Sequence, residues 1–317
     1  MVVLTSIATL EDSPMSSSTT ARQRSAVSLH LPARQPFDFG ASLAFIGAFP
    51  AMTGQQDTSG AALTLALREN SSTLAARLTA AAGGTGLDCE LTADTPIDGA
   101  TARAAADRLG FHLGLDDDLS PLYTAARRDP AFQRVTARLY GYHQVKFPSP
   151  FELLCWAILC QRVPMPVART MKQSLVEAVG NRMELDGRVL WAFPDAEQLA
   201  ALDEDELTAL IGNRRKAGFL HGSILRWLDL DEDFLRTGDH DAVRERILGL
   251  PGIGPWSASF LLIRGLGRME HIAYDREQAR AASRAYGHPV DEPEFRRLAS
   301  GYGELQGYWA HYLRVAC

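Results

Sequence analysis

A chain of 317 residues is long enough for two domains and a sizeable core. Its 46% hydrophobic and 22% charged content is that of a folded globular protein and excludes a chain disordered throughout. The formal net charge of −6 excludes a generally basic surface, so a nucleic-acid partner would have to be met by a local patch of Arg and Lys.

No apolar run approaches the roughly 18 residues that span a membrane, so no membrane partner is expected. Met1-Val2-Val3-Leu4 lacks the basic start of a signal peptide. The expected location is the cytoplasm or nucleoid. The four cysteines, Cys89, Cys155, Cys160 and Cys317, form no CxxC pair. Cys155 and Cys160 sit in an apolar helical pattern and read as buried small residues. No side-chain metal site and no iron–sulfur cluster are expected, since a cluster needs four grouped thiolates.

Residues 1–28 are rich in Ser and Thr with few apolar anchors and read as a disordered tail. Residues 29–112 read as an α+β sheet domain. Ala61 to Leu67, Thr73 to Leu78 and Leu87 to Thr92 give short alternating patterns broken by Gly, Asn and Asp, as in an antiparallel sheet. Phe37 to Phe49 is apolar at helical spacing, and Asp98 to Arg108 is an Ala-rich helix.

Residues 113–317 read as helices throughout. Ser149-Pro150-Phe151-Glu152 carries an N-cap Ser, a first-turn Pro and a Glu three after the cap. Phe151, Leu154, Cys155 and Ile158 follow at the spacing of one buried face. Further amphipathic helices are expected over Val167 to Val179, Ala196 to Leu202, Glu204 to Ile211, Lys216 to Leu228 and Ala242 to Leu248. Ala279, Ala282 and Tyr286 mark another, and Tyr308 to Val315 the last.

The most informative stretch is Leu250-Pro251-Gly252-Ile253-Gly254-Pro255-Trp256-Ser257-Ala258, with Asp275 beyond it. Gly252 and Gly254 permit backbone conformations that a side chain would forbid. Pro255 suits the first turn of a new helix, which Gly265 and Gly267 would stop. Outward N–H groups at such a helix start form an anion site, and phosphate is the obvious anion.

This hairpin, with an acidic residue about twenty positions later, resembles that of the helix-hairpin-helix DNA glycosylases. Phe147 to Glu152, Ala157 to Gln161, Trp309 to Tyr312, and Gln35 to Phe39 with Phe45 resemble segments of the AlkA-like 3-methyladenine DNA glycosylase II branch. The resemblance covers residues 31–317 and is strongest over 147–286. It implies a mostly α-helical glycosylase fold with an N-terminal antiparallel β-sheet domain. It also implies a monomer acting on double-stranded DNA that contains damaged bases.

Residue roles follow from the same resemblance. Asp275 matches the family's catalytic aspartate. Trp256, Phe260, Trp309 and Phe45 match the aromatic base pocket, and Leu250, Gly252, Ile253 and Gly254 the DNA-binding hairpin. Arg162, with Val163 next to it, stands where relatives place the residue that fills the gap left by a flipped base. Apart from the resemblance, Arg276, Arg280 and Arg284 recur every four residues as one stripe and Arg214-Arg215-Lys216 opens a helix; both read as solvated faces or as phosphate contacts, with Arg276, Arg280 and Lys216 the phosphate candidates. The carbonyls near Leu250 and Gly252 could hold a monovalent cation, and no other cofactor is implied.

Bifunctional relatives carry a nucleophilic lysine where this chain has Trp256, which cannot form a Schiff base. A monofunctional enzyme leaving an abasic site is therefore expected. An aromatic face there suits electron-poor alkylated purines, with cation–π attraction of roughly 0.5–2 kcal/mol. Two alternatives stay open: a catalytically degenerate DNA-binding protein of this fold, and a glycosylase for other damaged bases. Asp275 alone reads equally as a helix cap, since Gln278 follows three residues later.

Overall fold

The computed structural model describes residues 3–9, 24–49, 51–52 and 55–317. The N-terminal part is a six-stranded antiparallel sheet. Its strands are β1 (Val3–Thr9), β2 (Ser25–Pro32), β3 (Gln56–Asp57), β4 (Ala62–Glu69), β5 (Ser72–Ala80) and β6 (Gly86–Ala93), in the order β1-β2-β6-β5-β4-β3. The register pairs Val27 with Leu91, Leu78 with Cys89 and Leu65 with Ala76. In β2, Val27, Leu29 and Leu31 are buried while Ser28 is exposed, the alternation of a strand with one face on the core. Asn70 and Ser71, both at positive φ, form the two-residue turn that joins β4 to β5.

The tail expected over residues 1–28 needs correction. Val3–Thr9 is an edge strand on β2, and Ser25 to Ser28 open β2 itself. The remainder of that expectation, residues 1–2 and 10–23, lies outside the described residues.

Two helices belong to this part. α1 (Phe39–Ala48) starts at Asp38, whose carboxylate accepts the Ala41 N–H. α2 (Gly99–Leu113) starts at Asp98, which accepts from Thr101 N–H at 2.7 Å and ends at left-handed Gly114. These are ordinary N- and C-cap chemistries.

Thirteen further helices follow among the described residues: α3 (Ser120–Ala126), α4 (Pro130–Arg138), α5 (Pro150–Leu159), α6 (Met165–Val179), α7 (Ala196–Ala200), α8 (Glu204–Ile211), α9 (Arg214–Trp227), α10 (Glu232–Thr237), α11 (His240–Leu248), α12 (Pro255–Leu266), α13 (Arg276–Tyr286), α14 (Glu292–Ser300) and α15 (Gln306–Ala316). A small hairpin, β7 (Arg182–Leu185) and β8 (Arg188–Trp191), interrupts them. Its Met183 and Leu190 pack on Ala66 and Ala75 of the large sheet. β4 is therefore buried on both faces, between α2 and this hairpin.

α5 is the central helix, and every residue from Pro150 to Leu159 is buried. Ser149 caps its start by accepting the Glu152 N–H. Glu152 does not reach back to the cap. It instead pairs with the buried Lys172 ammonium at 2.5 Å, which also donates to Ala51 O at 3.0 Å. The C-terminal carbonyls of α5 receive the ammonium of Lys216, at 2.9 Å from Ile158 O and 2.7 Å from both Leu159 O and Gln161 O. A lysine at a helix C-terminus neutralises the negative end of the dipole. One continuous apolar cluster runs from Val27 on the sheet to Leu313 on α15, across the end of α2 near residue 113. Among the described residues no helix is long and apolar enough to cross a membrane.

Candidate active site

α11 and α12 form the hairpin. Gly252 has φ +78°, and a Cβ there would come within 2.8 Å of the Phe219 ring, so both backbone and space demand glycine. Gly254 differs from expectation. Its φ of −99° is open to any residue, and a Cβ would meet nothing within 4 Å. Its bareness faces outward. Leu250 and Ile253 are buried and anchor the turn in the core.

Side chains from neighbouring elements tie the hairpin carbonyls down. Gln161 Nε2 donates to Gly252 O at 2.8 Å, and Ser223 Oγ donates to Pro251 O at 2.7 Å. The N–H groups of Gly252 and Gly254 have no partner among the described residues, and α12 starts without a side-chain cap. With Pro255 at its first position, the helix presents a bare, partially positive N-terminus.

Behind the hairpin lies a cavity of about 740 Å³. Three helices turn a single face to it. α12 contributes Trp256, Ser259, Phe260, Ile263 and Arg264; α1 contributes Ala41, Ala44, Phe45 and Ala48; α15 contributes Gly307, His311, Arg314 and Val315. Each set steps by three and four residues, the spacing of one helical stripe. Asp275 and Gln278 reach the same cavity from the start of α13.

Trp256 stands at the rim, 46% exposed, with its ring stacked on Phe260 at 5.3 Å between centroids and 30° between planes. Its indole N–H donates to Asp275 Oδ2 at 3.4 Å. The other carboxylate oxygen, Oδ1, accepts the Gln278 N–H at 2.8 Å. Asp275 is thus a helix cap and a cavity-facing carboxylate at once, one oxygen for each role. Half-buried Phe45 stacks on Phe49 and meets the edge of His311. His311 accepts or donates one hydrogen bond with Tyr142 Oη at 3.0 Å. Burial, then the Arg264 charge, hold its pKa well below the ordinary histidine value, so the ring is neutral.

No family model matches the chain. It is similar to the DNA-3-methyladenine glycosylase of Bacillus subtilis, 32% identical over 155 residues, 48% of this chain and 51% of that protein. It is also similar to the probable bifunctional transcriptional activator/DNA repair enzyme AlkA of Mycobacterium tuberculosis, 30% identical over 266 residues, 83% of this chain and 52% of that one. The chain spans about half the length of these curated relatives. A 3-methyladenine DNA-glycosylase from Archaeoglobus fulgidus superposes with a TM-score of 0.73 at 21% identity, covering 91% of this chain and 97% of that chain. An 8-oxoguanine glycosylase/lyase of Clostridium acetobutylicum does so with a TM-score of 0.66 at 15% identity, covering 99% of each.

The fold is that of the helix-hairpin-helix DNA glycosylases. On that glycosylase fold the structure brings Trp256, Phe260, Phe45 and Asp275 to one cavity. It does not bring Trp309 there. Trp309 is fully buried, stacked on Tyr302 at 5.8 Å and donating to Tyr286 Oη at 3.2 Å, which in turn bonds Asp129. Along α15 the cavity stripe passes through His311, and two residues on a helix are about 200° apart, which turns Trp309 into the core.

Lys216 is a second correction. Its ammonium is spent on the end of α5 and only 6% of the residue is exposed, so no phosphate can reach it. Arg276 and Arg280 are exposed on α13 beside Asp275; Arg280 is paired with Glu277 at 2.5 Å, and Arg276 has no ion pair among the described residues. Arg162 is exposed in the turn between α5 and α6, at φ +53°, while Val163 packs against the core. Its neighbour Gln161 is the residue that holds Gly252. Arg264 and His311 were missed in the sequence. Stepping four residues along α12 from Trp256 and Phe260 leads to Arg264, so the helical period was the available signal.

Proposed function

We propose that this chain is a monofunctional DNA glycosylase of base excision repair. It flips a damaged purine out of the duplex and hydrolyses its N-glycosidic bond, leaving an abasic site. The observation that carries this reading is the pairing of Asp275 and Trp256 on one cavity rim, the carboxylate oxygen 3.4 Å from the indole nitrogen.

The bare N-terminus of α12 and the free N–H groups of Gly252 and Gly254 hold a DNA phosphate. Arg276 and Arg280, and Arg162 from the adjoining turn, supply further charge to the backbone. The peptide oxygens of Leu250 and Gly252 each accept one hydrogen bond, from Ile253 N–H and Gln161, and keep a second lone pair for a monovalent cation. Extruding a base costs a few kcal/mol. Arg162, displayed at positive φ on the turn tip, is the candidate to fill the gap. The flipped base enters the cavity and stacks on Trp256 and Phe260, a face suited to electron-poor alkylated purines.

As the base departs, positive charge develops on the sugar C1′. The Asp275 carboxylate faces that charge and orients the water that replaces the base. A lyase step would need an amine. The chain has three lysines, Lys146, Lys172 and Lys216. All are buried, the first paired with Asp117, the second with Glu152, the third on backbone carbonyls, and none lines the cavity. This supports simple hydrolysis.

The test uses methylated duplex DNA with borohydride present in a parallel reaction. Wild type should release free base and give no trapped adduct. Asp275→Asn should release at least ~10²-fold less, the scale of losing one aimed electrostatic group. Asn caps a helix about as well as Asp, so the variant isolates the charge from the cap. DNA binding without release by either protein would support the degenerate module instead. A covalent trapped species would end the monofunctional reading.

A further inference from the structure

One buried charge in the cavity has no partner. Arg264 is 7% exposed, and its Nε and Nη2 atoms make no hydrogen bond. Among the described residues it forms no ion pair. Its guanidinium lies 4.8 Å from the ring centres of both Phe45 and Phe49. These rings hold it in place by cation–π attraction but satisfy none of its N–H groups. Burial lowers its pKa to about 10, so it remains a cation at neutral pH. Two titratable groups of the same lining, His311 and Tyr142, are neutral, because burial lowers the pKa of the first and raises that of the second. A buried unpaired guanidinium is costly and is ordinarily matched by a carboxylate. Here the side chain lies two turns along α12 from Trp256, on the same stripe, and lines the cavity.

The geometry points to Arg264 as a base-reading residue. Nε and Nη2 are sealed from the cavity, so Nη1, which is neither sealed nor bonded, donates to a carbonyl oxygen or unprotonated ring nitrogen of the flipped base, and so extends the cavity to neutral, carbonyl-bearing bases. This rests on the glycosylase reading above.

Leaving-group chemistry explains why such a donor matters. When the C1′–N bond breaks, both electrons go to the base. A cationic alkylated purine leaves as a neutral molecule and needs no help. A neutral base such as hypoxanthine leaves as an anion, and a guanidinium hydrogen-bonded to its edge stabilises that charge where it forms. The water oxygen bonds to C1′, and its proton ends on the departed base, giving a sugar hydroxyl and a neutral free base. For a cationic base the same guanidinium is a like charge in a dry cavity and works against binding.

The experiment measures single-turnover release of hypoxanthine and of 7-methylguanine from otherwise identical duplexes, for wild type and Arg264→Met. The hypoxanthine rate should fall about 10²-fold, while the 7-methylguanine rate holds or rises. Arg264→Lys keeps the charge without the fork and should retain more hypoxanthine release than Met. Loss of packing alone would lower both rates together. A rate ratio unchanged by Arg264→Met, or wild-type release of 7-methylguanine with none of hypoxanthine, overturns the assignment and leaves the glycosylase standing. No release of any base by wild type overturns both. Should the Met variant melt below assay temperature, Arg264→Gln serves the same comparison.

Discussion

Trp256 does two things with one side chain. Its ring stacks on Phe260 and its N–H reaches Asp275. Trp256→Ala should therefore weaken capture of the flipped base by roughly 1–3 kcal/mol, the value of one base–aromatic stack. The loss should appear as weaker binding of lesion-containing duplex, with affinity for undamaged duplex unchanged. Equal losses on both would mean that Trp256 serves DNA binding in general. At this scale the sequence was legible where a motif fixes direction. Trp256, Phe260 and Asp275 follow from the hairpin, because a helix begun at Pro255 must turn residues 256 and 260 the same way. Trp309 carried no such constraint. Which stripe of α15 faces the cavity depends on how α13 and α14 pack against it, and aromatic identity does not encode that. The missing partner of Arg264 was equally invisible, since solitude is a property of the surroundings.

Among the elements, the hairpin separates two uses of glycine. Gly252→Val would force a β-branched residue to φ +78° and into the Phe219 ring, so the folded hairpin should be lost, with a fall in thermal stability. Gly254→Ala adds a methyl that meets nothing, and costs at most about 1 kcal/mol as a poorer cap. Its effect should instead fall on DNA affinity, because the methyl occupies the space through which a phosphate approaches the bare amides. Calorimetry and a filter-binding assay on the two variants should give opposite profiles. If Gly254→Ala binds DNA as wild type does, the hairpin is not the anchor.

Most helices were readable from caps and period. Ser149 accepts the expected N–H, and Asp38, Asp98 and Asp203 cap their helices in the same way. The helices that escaped are α3, α4, α10 and α14, six to nine residues long. β4 was legible as Ala61 to Leu67, but the β7–β8 hairpin that covers its outer face lies more than a hundred residues away, inside a stretch that reads as helical throughout. Lys216 looked like part of a basic surface run with Arg214 and Arg215. Only the arrival of the α5 C-terminus beneath it reveals a structural cap.

At the level of the whole molecule, sheet and helices are not separable bodies, since one apolar cluster joins them and α1 of the sheet part supplies a cavity wall. Stability is also tied to buried neutral histidines. His112 bonds Lys146 O at 2.8 Å and its pKa is lowered to about 4, by burial first and then by the charges of Arg264 and Lys146. The unfolded chain takes up that proton near pH 6.5, the native state only near 4. Stability is therefore full above about 6.5 and falls as pH drops toward 4, by roughly 3 kcal/mol at about 1.4 kcal/mol per unit. His311 adds in the same direction. Urea midpoints should fall between pH 6.5 and 4, and His112→Gln should flatten that slope; a slope unaltered in the variant would exclude His112 as the source.

The burial of all three lysines reaches beyond the question of a lyase step. An abasic sugar opens to an aldehyde, and aldehydes condense with any accessible ε-amine. Cations presented by this folded surface are guanidinium groups, which grip phosphate but form no such imine. On the proposed function, a chain whose lysines are all buried would hold its abasic product without offering an ε-amine for cross-linking.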